Sequence, residues 1–306
     1  MNLRHLLLVF ALLVTVETKA MNLNDTFNLL TTPVAASIAQ QQSLGTAFFY
    51  HRLAPPEDPT KKGPQWRAVQ DTWLVTNRHV VLPKVGEKEV APDTFAFHLR
   101  KIVDKRLQWE PIVLPRDQLL RRAKFHTDPS VDVSLVKVQD LITDRIAKKD
   151  SQYLQYYAVS RENFAGENNI EVQASDDIVV VGYPRGFYDE VNLFPIVKAG
   201  IVASRWGAHF GGKPFFLIDA KLFPGSSGSI VVSKPIDIVV RGGQVFHAPE
   251  KQFAFLGIYS GEPFREGCTI EAEDLVIKQK LGFNVGIVWY AWLVEDIIER
   301  GVDFKP

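Results

Sequence analysis

The residues most able to do chemistry are a histidine, an aspartate and a serine, each set beside an apolar run. His79 lies near the end of "TWLVTNRHVV" (72–81), Asp132 sits in "DPSVDVSLVKV" (128–138), and Ser227 sits in "FPGSSGSIVV" (223–232). Each has an ordinary reading when taken alone: a core histidine, an aspartate at the start of a strand, and a Gly/Ser turn. Together they have another. A serine hydroxyl is a weak nucleophile until a base takes its proton, and an imidazole base needs a carboxylate to fix its tautomer and to stabilise the imidazolium. Glycines at 225 and 228 would let the backbone around Ser227 approach a carbonyl closely.

Elements able to position such residues are legible along the chain. Short Val-, Ile-, Phe- and Tyr-rich runs recur at 45–51, 72–81, 94–99, 131–138, 177–183, 195–204, 214–220, 228–233, 252–260 and 283–291, separated by Gly, Pro and Asp. They read as strands. In "TFAFHL" (94–99), Phe95, Phe97 and Leu99 share one face, and Ala96 and His98 share the other. Helical periodicity is scarce apart from "AWLVEDIIERG" (291–301), where Leu293, Val294, Ile297 and Ile298 form a stripe. The expected fold class is therefore all-β, with closed or sandwiched antiparallel sheets and a short C-terminal helix. Residues 21–43 carry no strong strand pattern and read as an extension holding a short helix, and the polar stretch 139–176 reads as a connector.

The chain of 306 residues is 46% apolar and 23% charged, the make-up of a globular protein with a sizeable core. Its 35 basic and 35 acidic residues balance, so no long-range field steers it to nucleic acid or an anionic membrane. The single cysteine, Cys268, can form neither an intrachain disulfide nor a thiolate metal cluster, and no HExxH or Walker-type run is present. No metal or other cofactor is expected. Residues 1–20 have the order of parts of a secretory signal peptide: Arg4, an apolar stretch from Leu6 to Val16, then small and polar residues to Ala20. A secreted or periplasmic location follows, with no membrane span in the mature chain; were Met21 the true start, the protein would be cytoplasmic.

The order His79, Asp132, Ser227 resembles that of the trypsin/chymotrypsin-like serine peptidases and differs from the subtilisin and α/β-hydrolase orders. The likeness extends to "GTAFFYH", "VTNRHV", "DIVVVGYPRG", "IDAKLFPGSSGSIVV" and "FLGIYSG", which resemble the corresponding runs of bacterial trypsin-like peptidases of the Deg/HtrA type, from about 44 to 295. The resemblance implies two packed antiparallel β-barrels with the site in the cleft between them: a first barrel over about 44–140, a connector over about 141–174, a second barrel over about 175–291 and a helix over about 291–301. It implies a serine endopeptidase acting on protein or peptide substrates, with His79 as base, Asp132 as its orienting carboxylate, Ser227 as nucleophile, and the N–H groups of Gly225 and Ser227 as oxyanion hole. Lys221, six residues before Ser227, falls at the family's first substrate pocket, and Tyr259, Ser260 and Gly261 fall on the strand that lines the substrate's backbone.

Two positions depart from the family pattern. Ser226 stands where digestive members keep an aspartate that binds a newly cut amino terminus, so no activating clip of that kind is expected; Ser229 replaces the second glycine of GxSGG. Few residues follow Gly301, which leaves no room there for a PDZ domain. The alternative from another class is a protease-fold binding protein that retains these residues without a working oxyanion hole.

Overall fold

The computed structural model describes residues 23–304, apart from residues 40, 59, 61–65, 104–105, 148–153, 185–186, 242–243 and 273–274. Residues 1–20, read above as a signal peptide, lie outside the described part.

The chain is mostly β, in two halves. In the second half, six antiparallel strands close into a barrel: Asp177–Gly182, Ile196–Val202, Phe215–Asp219, Gly286–Tyr290, Phe255–Gly261 and Ile230–Ser233, in that spatial order. In the first half, eight strands form one sheet, with Thr31–Ile38, Gln41–Leu53, Val69–Thr76 and Ser134–Lys137 adjacent in that order. Among the described residues the strand pairs of this sheet follow an open path rather than a closed ring.

The reading of 21–43 as an extension without strands is corrected. Only Leu23–Leu30 is helical; Thr31–Ile38 pairs along its whole length with the strand that follows and also with Thr94–Val103. The polar residues that hid this strand are satisfied inside the fold. Thr32 is fully buried, and its hydroxyl donates to the His98 carbonyl at 2.8 Å. Two hairpins also went unread, Ile236–Arg241 with Gln244–Gln252 and Phe264–Ala272 with Leu275–Gly282.

Strand periodicity shares side chains among three cores. Phe95, Phe97 and Leu99 enter the core of the first half, as their alternation predicts. Ile178, Val180, Phe216, Ile218 and Val288 fill the barrel. The third core joins the halves. On Gln41–Leu53, residues 45–50 are all buried: Ala47 and Phe49 face into the first half, while Phe48 and Tyr50 pack with Val181, Ile230 and Phe255 of the barrel. Phe48 and Phe255 meet edge to face at 5.2 Å. The closing helix Leu293–Arg300 adds Leu293, Val294 and Ile297 to this joint, and Glu295 accepts a hydrogen bond from the Tyr50 hydroxyl. The two halves thus share one core. No helix among the described residues is long and apolar enough to cross a membrane.

Candidate active site

His79 and Asp132 are brought together by strand pairing. Val69–Thr76 runs antiparallel to Ser134–Lys137, with Thr76 opposite Ser134, so the residues just beyond Thr76 and just before Ser134 emerge at the same edge. Asn77 secures the join. Its side-chain amide donates to the Asp132 carbonyl at 2.7 Å, and its own carbonyl accepts the Ser134 hydroxyl at 3.1 Å. His79 sits on the short helix Arg78–Val81, which is held by a two-pronged ion pair from Arg78 to Glu89 at 2.7 and 2.8 Å.

Both carboxylate oxygens of Asp132 are engaged. Oδ1 accepts the His79 backbone N–H at 2.9 Å, and Oδ2 faces the His79 ring Nδ1 at 2.7 Å. An ionised carboxylate can only accept, so Nδ1 carries a hydrogen, and in the neutral form of the ring Nε2 keeps a lone pair. Oδ2 also accepts the Ser260 hydroxyl at 2.5 Å. His79 is 43% exposed at its side chain and Asp132 22%, so the imidazole is open to a ligand while its partner is sheltered.

Ser227 comes from the turn between Phe215–Asp219 and Ile230–Ser233 of the barrel. Its hydroxyl donates to the Ser260 carbonyl at 3.0 Å. Ser260 therefore links Ser227 to Asp132, a connection that residue order did not reveal. Gly45 lets the two halves close at this point: a Cβ there would come within 2.9 Å of Val80 and 3.3 Å of the Ser227 carbonyl.

The loop itself is shaped by two glycines with left-handed backbone, Gly225 at φ 88° and Gly228 at φ 84°. Phe223 to Ser226 form a turn with Pro224 and Gly225 at its centre, closed by the Ser226 N–H donating to the Phe223 carbonyl at 3.0 Å. At Gly228 a Cβ would overlap the Thr46 carbonyl at 1.9 Å, so only glycine fits. The Gly228 N–H donates to the Tyr259 carbonyl at 2.8 Å, and the Ser229 N–H to the Ser226 carbonyl at 2.9 Å. Among the described residues nothing accepts from the N–H groups of Gly225 and Ser227, the two donors expected at an oxyanion hole.

The remaining expected residues fare differently. Ser260 lies between Ser227 and Asp132, at a register shift in the ladder between Phe255–Gly261 and Gly286–Tyr290, and Gly261 follows it, paired with Ile287. Tyr259 does not face the cleft. The residue is 4% exposed and belongs to the barrel core, and its N–H and carbonyl are both bonded to the loop that carries Ser227. It supports the loop rather than meeting substrate. Lys221 is exposed and has no carboxylate partner among the described residues. Ser226 is buried at 3% exposure, and Ser229 is buried with its hydroxyl unpartnered. Beside His79 a groove of about 420 Å³ runs between Gln41, Gln42 and Pro83 to Val85. No group of three or more metal-ligating side chains occurs among the described residues.

Comparison with known proteins gives the following. Solved structures of similar shape include the Rv3671c protease of M. tuberculosis in its active form, at 16% identity and TM-score 0.42 over 92% of this chain and 84% of that one. Another is a serine endoprotease of Yersinia pestis, at 13% identity and TM-score 0.43 over 89% of this chain and 62% of that one. A third is the protease Anisep of Arthrobacter nicotinovorans, at 9% identity and TM-score 0.45 over 90% and 95%. No curated protein matches the sequence. The family model described as the trypsin-like peptidase domain matches residues 66–239, more than half of the chain and a span that contains His79, Asp132 and Ser227; the chain belongs to that family.

Proposed function

We propose that the protein is a serine endopeptidase in which Ser227 attacks a peptide carbonyl, His79 moves the proton and Asp132 orients His79. The observation that carries this reading is the His79–Asp132 pair: Nδ1–H is committed to Oδ2, and Nε2 is left as the basic nitrogen. Ser227 donates to the Ser260 carbonyl in the free protein, and rotation about its Cα–Cβ bond is what turns the hydroxyl toward Nε2. Catalytic hydrogen bonds often tighten in this way only when substrate arrives.

In the reaction, a bond forms from Ser227 Oγ to the carbonyl carbon while the hydroxyl proton passes to His79 Nε2. The carbonyl oxygen becomes an oxyanion facing the free N–H groups of Gly225 and Ser227, each donor being worth about 3 kcal/mol. The carbon–nitrogen bond then breaks, and the proton on Nε2 goes to the leaving amine. Water, deprotonated by the same nitrogen, attacks the acyl carbon; the bond to Ser227 Oγ then breaks and the proton on Nε2 returns to Oγ. When Ser227 turns away, the Ser260 carbonyl becomes free to accept an N–H from the substrate backbone.

The test is intact mass after treatment with a fluorophosphonate, run beside Ser227→Ala and His79→Ala. One adduct on the wild type, lost in both variants, is the expected result. Folded wild type without an adduct would refute the reading and favour a binding role for the same fold.

A further inference from the structure

Thr46 has no part in the triad, yet every polar group it owns is bonded at the nucleophile loop or at what supports it. It lies fully buried on Gln41–Leu53, in the half of the protein opposite Ser227. Its N–H donates to the Ser227 carbonyl at 2.8 Å, and its carbonyl accepts the Thr76 hydroxyl at 2.7 Å. Its Oγ1 accepts the Tyr183 N–H at 2.8 Å. That leaves the single hydroxyl proton to be donated, and it points to the Gly225 carbonyl at 3.3 Å.

The consequence appears when the loop is read peptide by peptide. The Gly225–Ser226 unit is held at both ends, its carbonyl by the Thr46 hydroxyl and its N–H by the Phe223 carbonyl. The Ser227–Gly228 unit is held at both ends too, its carbonyl by the Thr46 N–H and its N–H by the Tyr259 carbonyl. The peptides carrying the Gly225 and Ser227 N–H groups alternate with these two. With their neighbours clamped, they keep their N–H groups unspent among the described residues. Of the four clamping bonds, the one from the Thr46 hydroxyl is the longest and the only one made by a side chain.

We propose that the Thr46 hydroxyl is a positioning group for the oxyanion hole: by accepting from Tyr183 N–H and donating to Gly225 O, it fixes across the interface the Gly225–Ser226 peptide plane, which adjoins the plane carrying the Gly225 N–H and so limits how that N–H can turn. This rests on the peptidase reading above. A hydroxyl at this place transmits alignment, since a donor misdirected by about 1 Å costs on the order of 100-fold in rate.

The experiment is fluorophosphonate inactivation of the full chain, resolved into its limiting rate and its half-saturating concentration. The proteins are wild type, Thr46→Val, Thr46→Ala and Thr46→Ser, each held well below its Tm. The expected result is a limiting rate lowered about 10- to 100-fold in Thr46→Val and Thr46→Ala at an unchanged half-saturating concentration, with Thr46→Ser restoring it to within about threefold. A limiting rate within about threefold of wild type in folded Thr46→Ala overturns the proposal. So does a Thr46→Ser protein as slow as Thr46→Ala. Failure of both hydroxyl-less variants to fold while Thr46→Ser folds would assign the hydroxyl a structural role, and overturns it as well. A wild type that takes no label refutes the peptidase reading itself, and the proposal falls with it.

Discussion

Replacing Asp132 by asparagine exchanges one oxygen for an NH2 group, and the contacts of Asp132 decide which. If the NH2 takes the place of Oδ1, it meets the His79 backbone N–H, 2.9 Å from Oδ1 in the native chain. Two donors then face each other, and a sheltered backbone N–H loses its acceptor, at about 1–3 kcal/mol. If it takes the place of Oδ2, it meets the Ser260 hydroxyl and the His79 ring nitrogen. Both can adapt: the hydroxyl reverses to accept, and the imidazole moves its hydrogen from Nδ1 to Nε2. The second arrangement satisfies every group and prevails. It also removes the base, because Nε2–H cannot take a proton from Ser227. Returning to the productive tautomer sets N–H against N–H, again about 1–3 kcal/mol. The imidazolium that follows has lost a countercharge worth about 4 kcal/mol at the effective dielectric of a partly exposed pair. The total is about 5–7 kcal/mol, or about 10⁴- to 10⁵-fold in rate, the lower end of which is the magnitude known for the equivalent change in Ser-His-Asp triads. The assay is the second-order rate of fluorophosphonate inactivation of Asp132→Asn at pH 7.5, with the thermal transition recorded in parallel. A variant that folds normally and reacts within tenfold of wild type would falsify the roles given to Asp132 and His79.

Two further expectations concern stability. The Ser229 hydroxyl is buried without a partner and lies 2.0 Å from where a Cβ on residue 182 would stand, so Gly182 is the residue that makes room for it. Ser229→Ala should therefore raise the urea midpoint by the equivalent of about 1 kcal/mol, and a clear loss of stability would show that the hydroxyl has a partner after all. His51 and His98 are both held below the ordinary histidine value of 6.5 by burial, which favours the neutral ring in the folded chain. Below pH 6.5 the unfolded chain binds protons that the folded chain refuses, so their contribution is present above that pH and is lost as the pH falls through their folded values. Urea midpoints should fall from pH 7.5 to pH 5.5, by less in the His51→Gln, His98→Gln double variant; equal midpoints in the wild type at the two pH values would contradict this.

Much of the candidate site was legible because a histidine, an aspartate and a serine stand beside strands in an order that a known family shares. His79, Asp132 and Ser227 stand beside apolar runs whose alternation marks them as strands, and antiparallel pairing then places strand ends together. Thr31–Ile38 was hidden because its buried threonines are satisfied by hydrogen bonds, which hydropathy does not register. Ser260 and Thr46 were hidden for a different reason. Ser260 reaches Asp132 across 128 residues, and Thr46 reaches Gly225 across 179, so each role exists only as a distance between the two halves. Tyr259 was placed at the substrate because its strand passes the cleft, but side chains alternate along a strand, and this one turns into the barrel.

The strand Gln41–Leu53, buried on both faces where the halves meet, has a bearing on the order in which the candidate site forms. The loop that carries Ser227 depends on bonds from Thr46, and the barrel beneath it is completed only by Gly286–Tyr290, close to the far end of the sequence. A chain emerging from the ribosome therefore has His79 and Asp132 before it has Gly286–Tyr290, the strand that completes the barrel beneath Ser227. On the peptidase reading proposed above, synthesis in that order delays the shaping of the Ser227 loop until the barrel can close.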